Sequence, residues 1–489
     1  MNKSKQSLLC FSSITLDDPV IQKNTAHAVV SIVKTDTTKI QFTLRLTYEH
    51  PINPEFKPLL RLAFCMPLLN YSLFSQKLIL KFPISSSDYS LLNDFNTIFS
   101  RDIFVNKLLN KKNPYIIPEY FPDESTVTPH DAEPQAGIQP QYVDVDRNIA
   151  STTRFDDTRC GILSSGGKDS LLTYGLLKEI HAEVYPLYIN ESGGHWRTAL
   201  TAYRYHRKTD PNTARVWTNV DRFYTFMLDH LFFIKPHHHR IRADIYPIHL
   251  CVFPYYIFSL LPLFIENSIG NLLMGNEFDD VRYEIRYKGI KHYYGIYDQH
   301  QDFDRRMNEW YTHRVQGLHQ WSALLSISGL VGQRILFERY PDLSQQQRSC
   351  HSCHIHKSTI LPCGKCSKCH GILLFLLANN LDPKKLQYTD QQITSFLNTI
   401  DHHHLKLDED EKNQAFFLLK NKSNKPTIGC IDHVQKIHLS KTGSDPEQIP
   451  PRFRKPLFSI FEQYTTGYCT LDNETWVPID SVNILKPTF

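Results

Sequence analysis

The stretch from residue 160 to residue 180 constrains this chain most. A short apolar run, Cys160-Gly161-Ile162-Leu163, leads into Ser164-Ser165-Gly166-Gly167-Lys168-Asp169-Ser170, and an apolar-periodic segment follows from Leu171 to Ile180. Strand, glycine turn and helix in that order form the context in which backbone N–H groups and a helix N-terminus cradle phosphates. Two adjacent glycines let a ligand approach the chain without Cβ atoms in the way. Ser165 and Ser170 offer hydroxyls to phosphate oxygens, and Asp169 offers a carboxylate oxygen to a magnesium ion. The segment is not a Walker A loop, because the four-residue gap before Gly-Lys-Ser/Thr is missing.

A length of 489 residues predicts two or three domains. A hydrophobic share of 41% and a charged share of 21% belong to an ordinary globular protein. A net charge of +4 over this length demands no nucleic-acid partner. Residues 250–265 are the most membrane-like, but they are interrupted by Pro254 and Pro262 and fall short of the roughly 20 residues a bilayer requires. They predict a buried helix and no membrane span. No small-residue cleavage pattern follows Leu8–Phe11, so no secretory signal is read. Eleven cysteines, five of them between 350 and 369, suit a reducing compartment and a metal rather than a disulfide framework. The expected location is cytoplasmic. The histidine runs at 237–239 and 402–404 read as solvated loops.

Alternation in Val29–Val33 and Ile40–Leu44 predicts two antiparallel strands. Leu59–Phe74 reads as part helix, broken or kinked at Pro67, followed by a strand at Leu78–Phe82 and a helix at Tyr89–Phe99. Residues 1–118 are therefore expected to form an α+β domain. Five prolines between Pro118 and Pro140 mark a linker over 119–154. Beyond it, candidate strands at Gly161–Ser164, Glu183–Ile189 and Asn271–Gly275 alternate with helical segments, which predicts a doubly wound parallel sheet within an α/β domain over 155–395. Asn276-Glu277 would then sit beyond the carboxyl end of the third strand, where ligands collect. Residues 396–489 form a C-terminal region with a substrate or packing role.

Cys363-Gly364-Lys365-Cys366-Ser367-Lys368-Cys369 concentrates three thiols, and Cys353 stands ten positions earlier. Four thiolates give zinc a closed tetrahedral shell, the pattern of a structural knuckle over 350–370. Cys353 is the expected fourth ligand, with Cys350 competing and His351, His354 or His370 able to substitute. An iron–sulfur cluster uses the same donors. Ile372–Leu377 reads as a helix anchoring the knuckle.

Ser165-Gly166-Gly167-Lys168-Asp169-Ser170 resembles the SGGxDS signature of the PP-loop ATP pyrophosphatases, which cleave ATP to AMP and pyrophosphate while activating a substrate. Together with the cysteine cluster it is similar to the 7-cyano-7-deazaguanine synthase branch, whose members are much shorter. A closer likeness is to the UDP-N-acetylmuramoyl-L-alanyl-L-glutamate epimerase family. It covers most of the chain, through the N-terminal region, the glycine loop, Asn276-Glu277, Gln299-His300, Ser352-Cys353, the cysteine cluster, Lys425-Pro426 and Cys430. The resemblance implies ATP- and magnesium-dependent inversion of the terminal L-glutamate of a UDP-linked muropeptide in peptidoglycan precursor synthesis. It implies an isomerase that binds nucleotide through Ser164 to Ser170 and Asn276. Lys168, Asp169, Glu277, His300 and Cys430 are its candidate catalytic groups. ATP, Mg2+ and Zn2+ are the implied cofactors. The aromatic and basic stretches 203–207 and 283–297 depart from the family pattern and leave another carboxylate open as acceptor. Two alternatives stand beside this expectation. One is an amide- or nitrile-forming ligase of the deazapurine type. The other is an RNA-modifying or RNA-binding zinc protein, in which Arg282, Arg286, Lys288 and Lys291 alternate with Tyr283, Tyr287 and Tyr293. The weak net charge argues against the latter.

Overall fold

The computed structural model describes residues 8–109, 112–241, 245–278, 285–350, 352–400, 405, 407–419 and 429–480. The histidine run at 402–404, His351, Arg282, Tyr283 and Lys425-Pro426 lie outside them.

The chain is α/β and is organised on one mixed sheet of eleven strands. Its parallel half follows the spatial order His319–Trp321, Ile269–Leu273, Asp156–Leu163, Glu183–Asn190, Ala214–Thr218. In chain order these are the fifth, fourth, first, second and third strands, so the direction of winding reverses between Asp156–Leu163 and Ile269–Leu273. Ala214–Thr218 then pairs antiparallel with Lys39–Thr47, through Trp217 opposite Thr47 and Thr218 opposite Leu46. That pairing extends the sheet into Thr25–Lys34, Phe11–Leu16, Lys77–Leu80 and Gly137–Pro140. The N-terminal region and the glycine-loop region thus share one backbone ladder. The last of these strands comes from the proline-rich segment expected to be a linker. It pairs parallel with Lys77–Leu80 at the sheet's far edge, where a proline is tolerated.

Alternation along the central strands divides the core into two clusters. Ile162, Val184 and Leu273 face one, while Leu187, Val216 and Leu272 face the other. On the second face helix Phe253–Glu266 packs against the strands and against helix Lys57–Leu69. A Cβ built on Gly161 would stand 2.5 Å from the Phe264 ring, so this glycine sets how closely that helix lies on the sheet. Helix Lys57–Leu69 runs on through Pro67, where the sequence predicts a break or a kink, so the helix is not broken there. A proline inside a helix costs about 3 kcal/mol. Ten of the helix's residues are buried, and each large one contributes roughly 1.5–3 kcal/mol by leaving water, so packing wins. On the first face lie helices Lys168–Glu179 and Gly329–Arg339, which contact each other. The C-terminal strands Ile437–Leu439 and Tyr468–Asp472 and helix Pro451–Phe461 join that same cluster. Among the described residues no helix is long and apolar enough to cross a membrane.

Candidate active site and metal centre

The reversal of winding opens a crevice at the carboxyl ends of Asp156–Leu163 and Ile269–Leu273, the place where open α/β sheets bind ligands. The glycine loop follows the first of these strands and Asn276-Glu277 the second. Gly275 fixes their separation, since a Cβ there would stand 3.0 Å from Asp169.

The loop is held in shape by its own residues. Gly166 has φ +74°, and a Cβ there would meet Ala199 Cα at 3.0 Å and Ala202 Cβ at 3.1 Å on helix Gly194–Thr209. Gly167 is the N-cap of helix Lys168–Glu179. Ser165 Oγ accepts from Gly167 N at 3.3 Å, and Ser170 Oγ accepts from Ser165 N at 3.4 Å while donating to Gly167 O at 3.3 Å. Both hydroxyls, expected on a ligand, brace the loop in this state. Outside support comes from Arg348, whose N–H donates to Gly166 O at 2.9 Å.

Lys168, from the first turn of the helix, reaches across the crevice and pairs with the carboxylates of Asp169 and Glu277. Burial works to lower the Lys168 ammonium, but Asp169 and Glu277 outweigh it and hold it well above its ordinary value. One glycine makes room for this pair: a Cβ on Gly329 would stand 2.6 Å from Glu277 Oε2. Glu277 therefore lies between an ammonium and the positive end of helix Gly329–Arg339. Asn276 is buried, and its Nδ2 has no acceptor among the described residues.

A narrow slot opens beside Glu277, lined by Phe278, Leu325 and Trp476 and by Gln299, His300 and Gln301, with Ser440 and Gly443. His300 is the N-cap of helix Gln301–Arg314, its Nδ1 accepting from Asp302 N at 3.1 Å. That bond places the proton of the neutral imidazole on Nε2. The structure therefore brings Lys168, Asp169, Glu277, Asn276 and His300 to one crevice. It does not bring Cys430, which is exposed with its Sγ 3.6 Å from Gln414 Oε1 and is no part of the slot.

The cysteine cluster closes with a different fourth thiol from the one expected. Sulfurs of Cys350, Cys363, Cys366 and Cys369 lie within 4.8 Å of one another, and Cys353 is not among them. The reason is local. Cys353 is one turn beyond Cys350, its N–H donating to Cys350 O at 3.1 Å, and the hairpin His354–His356/Thr359–Leu361 then carries the chain back to Cys363. Gly364, at φ +69°, makes the knuckle turn. Cys366 is the N-cap of helix Ser367–Ala378 and accepts from Cys369 N at 3.4 Å. Four thiols in a closed group fit a metal such as zinc, which would add folding energy rather than catalysis.

A second polar group was not legible in the sequence. Glu191 and Asp221, just beyond the second and third parallel strands, flank His195. Glu191 Oε2 lies 3.3 Å from His195 Nδ1, and Tyr246 Oη lies 3.0 Å from His195 Nε2. Burial lowers the His195 imidazolium, but Glu191 prevails and raises it. Burial, with the Glu191 charge adding to it, pushes Asp221 up to about 6. The available signal was positional, an acid directly after the second strand and another three residues past the third.

Fold and site together define an α/β protein with a large, mostly parallel mixed sheet, a glycine loop at its switch point and a four-cysteine centre able to hold a metal. Comparison with protein-family models, curated proteins and solved structures finds no match.

Proposed function

We propose that the crevice is a PP-loop site that adenylates a carboxylate with ATP, and that the reaction inverts the terminal L-glutamate of UDP-N-acetylmuramoyl-L-alanyl-L-glutamate. The observation that carries the reading is the convergence of Gly166-Gly167, Lys168, Asp169 and Glu277 where the winding reverses. Backbone donors and the helix N-terminus supply the anion site, and Lys168 is the cation beside it. Asp169 and Glu277 are the carboxylates that would hold a magnesium ion, whose contribution is neutralisation of phosphate charge. In the first step a substrate carboxylate oxygen attacks the α-phosphorus and pyrophosphate leaves. The resulting acyl-adenylate has lost the carboxylate charge, so its Cα–H is far more acidic. A base removes that proton, an acid returns one to the opposite face, and water then releases AMP. His300, an imidazole that lines the slot with Glu277, is the group we assign to proton transfer. The cysteine centre has a folding role.

ATP–pyrophosphate exchange against a panel of carboxylates that includes the muropeptide tests the first half. The second half is read in deuterated water, where the inverted product should carry one deuterium at Cα. Exchange without Cα labelling would leave an adenylating ligase and remove the epimerase.

A further inference from the structure

Five cysteines stand between residues 350 and 369, and a closed tetrahedral centre uses four. Cys353 is the one left over. It is 2% exposed, and its thiol interacts directly with that of Cys350. The two have the Cys-x-x-Cys spacing of thiol–disulfide pairs. Cys353 N donates to Cys350 O at 3.1 Å, a 1→4 hydrogen bond that keeps the two Cα atoms within about 7 Å. A disulfide needs about 4.4–6.8 Å between Cα atoms, so this pair can be bridged with little movement of the backbone.

Access from solvent runs through the hairpin that follows Cys353. His354–His356 is exposed at every position, and Thr359–Leu361 fully buries only Ile360. A two-stranded hairpin with so little buried surface is marginal by itself, and its local opening uncovers Cys353. The hairpin is tied back by Arg348, whose Nε donates to Ile360 O at 2.8 Å. The same residue supports the glycine loop, its N–H donating to Gly166 O at 2.9 Å. The thiol pair, the hairpin and the loop therefore meet at Arg348.

We propose that Cys350 and Cys353 form a redox-responsive pair that releases a metal held by the four thiols when a hydroperoxide is present. The Cys353 sulfur attacks a peroxide oxygen, the O–O bond breaks, and hydroxide leaves with the thiol proton as water. Cys353 is then a sulfenic acid. The Cys350 sulfur attacks the sulfenic sulfur, the S–O bond breaks, and hydroxide leaves as water with a proton from solvent. In sum a thiol, a metal-bound thiolate and one solvent proton reduce hydrogen peroxide to two waters and leave one disulfide. Cys363, Cys366 and Cys369 remain, and three thiols no longer close the shell. Residues 348 and 349 lose their anchor, and Gly166 loses its outside support. A dithiol reductant reverses the bridge by exchange. The thiol chemistry is independent of the adenylation reading, and only the nucleotide readout below rests on it.

The test treats the intact, zinc-loaded protein with hydrogen peroxide, follows zinc release with a chromogenic chelator and maps disulfides by mass spectrometry. The wild type should release one zinc for each Cys350–Cys353 bridge formed, and dithiothreitol with added zinc should reverse both. Cys353→Ser should hold its zinc before treatment and release it at least about tenfold more slowly, because the high effective concentration of the neighbouring thiol is lost. Cys353→Ala should act in the same direction, which covers a failure of the first variant to fold. ATP affinity of the bridged wild type should fall about fivefold, the ratio that loss of one hydrogen bond of about 1 kcal/mol produces. Failure to bind zinc, a bridge other than Cys350–Cys353, or variants that release zinc at the wild-type rate would each overturn the proposal. Unchanged ATP affinity after complete bridging would overturn the link to the loop. ATP bound by neither form would remove the adenylation reading and leave the thiol pair standing.

Discussion

Gly166→Ala separates the geometry of the glycine loop from its chemistry, because it adds one methyl group and no charge. At φ +74° the left-handed conformation costs a residue with a Cβ about 1–2 kcal/mol. The new atom also meets Ala199 Cα at 3.0 Å, Ala202 Cβ at 3.1 Å and Ala199 O at 3.3 Å. These neighbours belong to a helix and cannot rotate away as a side chain tip would. Overpacking of this kind costs roughly 1–3 kcal/mol, so the expected total is about 2–5 kcal/mol. Relief comes by pushing the loop off helix Gly194–Thr209, which misaims the N–H groups of the anion site. Both the urea midpoint and ATP affinity should therefore fall. Gly137→Ala is the matched control, since nothing lies within 4 Å of its Cβ position and its φ is ordinary; it should be neutral or stabilising by up to about 1 kcal/mol. Urea unfolding followed by tryptophan fluorescence and ATP titration by calorimetry give the two readouts. A Gly166→Ala protein that matches the wild type in both would refute this account of the loop.

Further expectations follow from the metal centre, the crevice and one buried carboxyl group. Cys350→Ser should lose the bound metal and lower the melting temperature, while Cys353→Ser keeps close to one equivalent by metal analysis; the reverse pattern would restore Cys353 as ligand. Asp169→Asn should abolish AMP and pyrophosphate formation and leave the far-ultraviolet circular dichroism unchanged, and release of ADP and phosphate by the wild type would end the adenylation reading. Burial pushes Asp304 up to about 7, with the Gln320 hydrogen bond working against it. The unfolded carboxyl titrates near 3.9, so the stability it contributes is complete below pH ~4 and is lost as pH rises through ~7. Asp304→Asn should therefore stabilise the protein above pH 7 and change little at pH 4, and an equal gain at both values would refute the assignment.

Much of the crevice was legible because its parts are contiguous in sequence. Six adjacent residues specify the loop, and period-two and helical patterns around them specify strand and helix. Contacts between distant segments were not legible. Gly329 looks like an ordinary helix glycine until Glu277 is seen lying against it. The short strands Ala214–Thr218 and His319–Trp321 carry too few residues to show a period, yet the first joins the two halves of the sheet and the second forms an edge. Gly137–Pro140 was hidden by its proline. Cys350 and Cys353 have the same spacing class relative to Cys363, and only the turn Cys353 N to Cys350 O, with the hairpin after it, decides which thiol faces the others. Gln301 and Ser440, which both line the slot, are far apart in the chain and have no motif.

The cysteine centre and the glycine loop are not separate devices. Arg348 donates its N–H to Gly166 O at 2.9 Å, and its guanidinium is spent on the carbonyls of Gln345, Gln347 and Ile360. A Cβ on Gly167 would stand 3.6 Å from Ser349 Oγ. The next residue is Cys350 of the four-thiol group, whose carbonyl accepts from Thr198 Oγ1 at 3.2 Å. Thr198 in turn adjoins Ala199, the residue that covers Gly166. The knuckle and the loop therefore close a short ring of contacts through helix Gly194–Thr209. A metal held by the four thiols would fix residue 350, and through it residues 348 and 349, against the loop. In a chain whose glycines supply little stiffness of their own, that bracing gives a reason for a four-cysteine centre to stand beside the glycine loop.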